Sequence, residues 1–325
     1  MEKKNHSTVI ALSIGVLALL SSVLAFYPSH TNTGASYPLS WMSHLADSTS
    51  LTTISIPGSH DSGSTKSVAD IAGICQDATL EDQLDFGVRF LDIRLVNYQS
   101  KLVVCHGFIN QDLAFSSVLS TLSKFLTAQP TETVLVSVKE EAKPIASTVS
   151  FEKLLSNEIK ESKVSFCLDR TLPTLGNARG KAILLSRYEN NSMGVDCYQG
   201  WSDPVDAATA NTFALDNGYP LQVQDHYQLT DATTKEDEIS AMLSLSEAYQ
   251  VKRELPVPLA ADTLYLNFAS GYLVKSFPPS YSISIAKAVN PWLLTTLPKY
   301  DCTGVVIMDF VTDELCMTVF QRNSL

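Results

Sequence analysis

Val134-Leu135-Val136-Ser137-Val138-Lys139-Glu140-Glu141 decides how this chain of 325 residues is built. Its first five residues are almost continuously apolar and rich in β-branched side chains, and the run then ends abruptly in charge. A strand of that kind is covered on both faces, as in a parallel sheet lying under helices. The same form recurs at Thr52–Ile56, Val88–Leu95, Leu102–Cys105, Ala182–Ser186, Leu221–Gln224, Leu264–Phe268 and Val305–Met308. Between the runs lie stretches with helical spacing, such as Phe115, Val118, Leu119, Leu122, Phe125 and Leu126, and the segment from Ile239 to Val251. Eight strands alternating with helices predict an α/β fold, a single-domain (β/α)8 TIM barrel. The barrel is irregular, because the step from Leu95 to Leu102 is too short for a helix.

The segments before the first run set the compartment. Lys3 and Lys4 precede an uncharged stretch from Ser7 to Tyr27, which reads as a signal peptide or an N-terminal membrane anchor over residues 1–27. Cleavage after Ala25 is the favoured form, and positive charge ahead of the stretch places the remainder outside the cytoplasm either way. Residues 28–40, rich in Pro, Ser, Thr, Asn and Gly, read as a linker, and residues 41–325 as the barrel. Six cysteines (75, 105, 167, 197, 302 and 316) without metal-site spacing suit disulfides in that compartment, Cys302 with Cys316 as a candidate pair, whereas Cys105 reads as a small buried thiol. The sequon Asn190-Asn191-Ser192 also suits secretion. A net charge of −11 excludes a nucleic-acid partner and bulk attraction to an anionic membrane, so membrane contact must be local and apolar.

In a barrel the chemistry sits where strands end. Those ends carry His60 and Asp61, Asp92 and Arg94, His106, Lys139 with Glu140 and Glu141, Arg187, Asp225 with His226 and Tyr227, and Asp309. Core strands that finish repeatedly in ionisable groups are costly unless the groups converge on one solvated pocket. Two histidines, several carboxylates and three cations suit an anionic phosphate ester that bears hydroxyls. Splitting a phosphodiester without a metal takes a base for the attacking oxygen, an acid for the leaving oxygen and a fixed cation for the non-bridging oxygens. Histidine serves both proton roles, and the Arg94 fork matches two phosphate oxygens. A lone histidine at a strand end is more often structural, and His44, His30 and His226 are read so; joint occurrence lifts the others.

Three segments, Pro57-Gly58-Ser59-His60-Asp61-Ser62-Gly63, Phe90-Leu91-Asp92-Ile93-Arg94 and Val104-Cys105-His106-Gly107, resemble the X-region signature of phosphatidylinositol-specific phospholipase C. The likeness is closest to the bacterial secreted, metal-independent type, and it continues in order through Asp309 over roughly residues 41–320. It implies cleavage of phosphatidylinositol, and of glycosylphosphatidylinositol anchors as a further substrate, to diacylglycerol and inositol 1,2-cyclic phosphate. It implies His60 as general base supported by Asp309, His106 as general acid supported by Asp61, and Arg94 on the phosphate with Asp92 beside it. Lys139, Arg187, Asp225 and Tyr227 would hold the inositol, with Trp201 near the position of a pocket aromatic. No metal or other cofactor is expected, because a guanidinium at Arg94 repels a divalent ion. The partner is then a phosphatidylinositol-type lipid at a membrane surface, met by a monomer. Tyr272, Leu273 and Phe277 beside Pro278-Pro279 are candidates for an interfacial loop. The competing readings are a catalytically silent X-domain that binds lipid and a barrel phosphodiesterase for another phospholipid; retention of His60, His106 and Arg94 speaks against the first.

Overall fold

The computed structural model describes residues 38–66, 73–198, 201, 220–248, 263–274 and 281–323. The leader, most of the linker, and Phe277 with Pro278-Pro279 lie outside the described residues. No helix among the described residues is long and apolar enough to cross a membrane.

Thirteen strands are described: β1 (Ile56–Ser59), β2 (Phe90–Tyr98), β3 (Lys101–His106), β4 (Ile109–Ala114), β5 (Val134–Ile145), β6 (Phe166–Cys167), β7 (Ala182–Arg187), β8 (Val195–Asp196), β9 (Leu221–Gln224), β10 (Gln228–Leu229), β11 (Leu264–Phe268), β12 (Tyr272–Leu273) and β13 (Val305–Met308). Eight of them form one curled parallel sheet in the order β6-β7-β5-β2-β1-β13-β11-β9. The helices are α1 (Leu80–Asp85), α2 (Phe115–Ala128), α3 (Phe151–Glu161), α4 (Leu175–Ala178), α5 (Ala232–Glu247), α6 (Ser282–Thr296) and α7 (Asp313–Phe320). Their starts are set by short polar side chains: Thr79 and Asp82 form a capping box on α1, and Ser150, Asp231 and Thr312 cap α3, α5 and α7.

The apolar runs are continuous because alternate residues feed two cores. Val134, Val136 and Val138 face α2 and α3, in a layer with Val118, Leu122 and Leu155. Leu135 faces inward, packed with Ile56, Phe90, Ile183, Leu185, Val223, Phe268 and Ile307 from six other strands. The two-residue period carries that inner face toward the mouth of the barrel. On β5 it continues through Ser137 to Lys139, on β2 from Phe90 through Asp92 to Arg94, and on β7 from Leu185 to Arg187. Each of these strands is apolar at its buried end and polar at its mouth, on the same face.

The eight-strand barrel class is met, but two of its strands differ from expectation. The run Leu102–Cys105 is not a barrel strand: β3 pairs antiparallel with β2, Leu95 opposite Val104, and then with β4. The two-residue β6 takes the eighth place beside β7, too short to stand out as a run. β1 also begins later than its apolar residues suggest, because Leu51–Thr53 is a 3-10 turn. The strand passes through Pro57 and Gly58, where a Cβ on Gly58 would come within 3.0 Å of Ile307 and 3.1 Å of Phe90. A side chain at that position would oblige both neighbours to give way by a few tenths of an ångström.

No disulfide joins any of the six cysteines. The expected pairing of Cys302 with Cys316 is corrected by their surroundings. Cys302 Sγ accepts from Ser55 Oγ at 3.6 Å, whereas Cys316 lies on α7 inside the outer core. Cys105 is buried, as expected of a small thiol.

Candidate active site

Parallel register brings the strand ends together. Ser59 on β1 lies opposite Met308 on β13, so the next residues, His60 and Asp309, are neighbours. His60 Nδ1 is 2.7 Å from Asp309 Oδ1, and Arg94 donates to His60 Nε2 at 2.8 Å. A guanidinium only donates, so Nε2 carries the lone pair and Nδ1–H points to Asp309. Nε2 is thus the accepting atom of the ring, placed as a base would be.

The second pair lies across the mouth. Asp61 turns inward from a left-handed backbone (φ 42°), held by its own N–H on Asp92 Oδ2 at 3.1 Å. Its Oδ2 is 2.5 Å from His106 Nδ1 at the end of β3. Burial works against the charged form of His106, yet the hydrogen bond and charge of Asp61 outweigh it and raise the imidazole pKa. One histidine is thus arranged to take a proton and the other to hold one.

Between them stands a row of cations. Arg94 on β2 is in register with Lys139 on β5, and Lys139 with Arg187 on β7. Each has a carboxylate: Arg94 meets Asp92 at 3.0 Å, Lys139 meets Glu141 at 2.8 Å, and Arg187 meets Asp225 at 3.1 Å. Burial would raise Asp92, but Arg94, His60 and Arg187 bring its carboxyl down to about 2. Burial likewise opposes the charge on Glu141, and Arg94 and Lys139 hold its pKa below the ordinary carboxylate value.

These groups surround a cavity of about 510 Å³, lined by His60, Arg94, His106, Lys139, Arg187, Asp225 and Tyr227 among others. Asp61, Asp92 and Asp309 stand behind this wall, each fully or almost fully buried. Trp201 joins the set: its indole N–H donates to Asp225 at 3.1 Å, and the Arg187 guanidinium stacks 3.6 Å over its ring. A larger groove, about 1010 Å³, lies between α2 and α3 and carries none of these residues. His226 is a structural histidine, bonded to Glu238 at 2.8 Å.

Glu141 was read only as a strand-end charge, and three further residues at the mouth, Tyr281, Ser282 and Phe108, were not anticipated. Glu141 also accepts from the Gly107 N–H at 3.0 Å, and strand parity alone would have placed it inward after Lys139. Tyr281 and Ser282 line the cavity from the start of α6. Phe108, next to His106-Gly107, is 96% exposed, whereas Tyr272 is 37% exposed and Leu273 packs against the outer core. No periodic signal marks the turn that carries Phe108.

Residues 48–188 match the family model for phosphatidylinositol-specific phospholipase C, X domain. The chain is 31% identical to a 1-phosphatidylinositol phosphodiesterase of Listeria monocytogenes, covering 87% of this chain and 84% of that one. It is 29% identical to one of Staphylococcus aureus, covering 84% and 88%. The solved phosphatidylinositol-specific phospholipase C from Listeria monocytogenes superposes with a TM-score of 0.67 at 26% identity, over 89% of this chain and 99% of that one. A Staphylococcus aureus structure superposes at 0.73 and 26%, over 89% and 98%. The matched residues include His60, Asp61, Asp92, Arg94, His106, Lys139 and Arg187, and the chain belongs to the phosphatidylinositol-specific phospholipase C X-domain family.

Proposed function

We propose that this protein is an extracytoplasmic phosphatidylinositol diacylglycerol-lyase that works by histidine acid–base catalysis with Arg94 as its fixed cation. The observation that carries the mechanism is the pair of His–Asp contacts, at 2.7 Å and 2.5 Å, on either side of Arg94. His60 Nε2 takes the proton of the inositol 2-hydroxyl, and Asp309 stabilises the imidazolium that forms. Arg94, released from His60 by the incoming hydroxyl, meets the phosphate oxygens. The 2-oxygen forms its bond to phosphorus as the bond to the diacylglycerol oxygen breaks, and His106 gives that oxygen its proton. Inositol 1,2-cyclic phosphate and diacylglycerol result, with no water consumed.

Lys139, Arg187 and Asp225 bind the ring hydroxyls, and Tyr227 covers the ring. Phe108 and Tyr272, exposed beside the mouth, meet the bilayer as apolar contacts for a chain whose net charge of −11 gives it no electrostatic hold. Phosphatidylinositol and glycosylphosphatidylinositol anchors share the bond that is cut, so both are substrates of this reading, and the enzyme acts as a monomer. The apolar stretch before Tyr27 carries the chain out of the cytoplasm.

The test is phosphatidylinositol in vesicles, in excess chelator, with the products separated. Cyclic phosphate at an undiminished rate is expected; activity lost with chelator and restored by calcium contradicts the metal-independent step. His106→Ala should lower the rate on the lipid by about 10²–10⁴-fold yet spare a substrate whose leaving group needs no proton. His60→Ala should abolish both activities. Equal losses for the two variants on both substrates would contradict this division of labour.

A further inference from the structure

Cys75 belongs to neither histidine pair, yet its sulfur lies between them. Sγ is 3.7 Å from His106 Nδ1 and 3.6 Å from Ser282 Oγ, and the residue is fully buried. Two three-residue sets share this sulfur, Asp61–Cys75–His106 and His60–Cys75–Asp309, and in each the ligand-capable atoms lie within 4.8 Å of one another. We propose that Cys75, His106 and Asp61 form a zinc-binding inhibitory site, in which a single ion takes His106 out of the reaction. The inference rests on the proposed acid role of His106.

The geometry suits zinc more closely than chance contact requires. A tetrahedral ion with a thiolate at about 2.3 Å and an imidazole nitrogen at about 2.0 Å holds the two ligand atoms about 3.5 Å apart. The observed separation is 3.7 Å. The third ligand is prepared as well. Asp61 Oδ1, unlike the Oδ2 that meets His106, is buried with no hydrogen-bond partner among the described residues. A small rotation offers that oxygen to the ion while the 2.5 Å contact to His106 opens.

Ligand chemistry decides that the ion must be one that binds thiolate, because the atoms on offer are a cysteine sulfur, an imidazole nitrogen and a carboxylate oxygen. A hard cation prefers oxygen ligands; zinc takes the sulfur as thiolate, and the thiol proton passes to solvent as the Zn–S bond forms. The thiolate and Asp61 then supply two negative charges to a doubly charged ion, so the site tolerates Arg94, whose Nε is 4.0 Å from Asp61 Oδ2. His106 binds through Nδ1, whose proton passes to solvent as the Zn–N bond forms, and it loses its hydrogen bond to Asp61. With a cation fixed on the ring the imidazolium no longer forms, and the Nε2–H that remains is a far weaker acid toward the leaving oxygen. The route to the site runs past His106, whose side chain is 32% exposed. Because both sets share one sulfur, one ion is bound at a time.

The experiment pairs the intact enzyme with Cys75→Ser and reads two properties. In chelator the variant should cleave phosphatidylinositol at close to the wild-type rate, because Cys75 meets His106 at Nδ1 and not at the nitrogen that faces the leaving oxygen, and serine keeps a hydroxyl there. Buffered free zinc should inhibit the wild type reversibly, and half-inhibition of the variant should need roughly tenfold more zinc or above. Cadmium added to the wild type should produce the ultraviolet absorption of a cadmium–thiolate bond, lost in the variant. That readout does not depend on lipid cleavage, so a wrong reaction assignment and a wrong metal site give different results. Equal zinc sensitivity of the two proteins overturns the proposal. So does a cadmium band that is absent from the wild type, or one that persists in Cys75→Ser and therefore reports another thiol.

Discussion

The 2.5 Å contact between His106 Nδ1 and Asp61 Oδ2 ties the charge of one imidazole to a carboxylate that solvent does not reach. The consequence is a pH dependence with a definite sign. In the proposed mechanism His106 must be protonated to act, and Asp61 raises its pKa, so kcat/KM should hold on the alkaline side beyond the ordinary imidazole value of about 6.5. Asp61→Asn removes the charge, and the alkaline limb should move to lower pH. A pH–rate profile whose alkaline limb does not move contradicts the pairing. Stability obeys the same linkage: the pair's contribution is complete below the unfolded pKa and is lost as pH rises through the raised folded value. At this scale most of the site was readable from residue type at strand ends. Cys75 was not, because it sits in a non-repetitive stretch before α1 where no period distinguishes one side chain from the next.

At the scale of elements, the two-residue period carried the reading furthest. The apolar positions Phe90, Leu135, Leu185, Val223 and Ile307 share one inner face, and Asp92 and Arg94, Lys139, Arg187, Asp225 and Asp309 continue it. What the period did not reveal is partnership: β3 reads like any barrel strand, yet a short turn folds it back on β2. Helix α5 shows how an element outside the mouth steadies it. Lys235 is fully buried there, its Nζ donating to His226 O at 2.7 Å and to Gln224 Oε1 at 2.9 Å, on either side of Asp225. Burial brings its pKa down to about 8. Between that value and the unfolded one, about 10.4, the unfolded chain binds the additional proton, so stability should rise with pH across this window. Denaturant unfolding from pH 8 to 10 should show the rise in wild type and its loss in Lys235→Met; parallel curves would show that Lys235 does not titrate there.

The whole molecule separates its two duties along the strands. Chemistry occupies the C-terminal ends, while the opposite end is closed by Arg89 and Glu132, a fully buried pair at 2.9 Å. Arg89 also donates to the carbonyls of Leu84, Val88 and Leu39 and lies 4.5 Å over the Phe125 ring. Glu132→Ala leaves that guanidinium buried without its charge partner and should cost about 3–5 kcal/mol in denaturant unfolding, with KM for lipid unchanged in the protein that remains folded. A cost below about 1 kcal/mol would mean that solvent reaches the pair. The barrel class was legible at this scale from the count and burial pattern of the runs. The cysteine pairing was not, since the separation of Cys302 and Cys316 depends on where α7 packs, and spacing along the chain does not encode it.

The pairing of every cation in this row with a carboxylate has a consequence for how the enzyme meets its lipid. Arg94, Lys139 and Arg187 each hold a carboxylate within 3.1 Å, so little positive potential escapes beyond a Debye length from the surface. Diffusional encounter with an anionic bilayer is therefore unaided, and added salt does not slow it as it slows an enzyme guided by a basic patch. On the proposed reading, discrimination begins only at contact, where a headgroup exchanges places with carboxylates already in position.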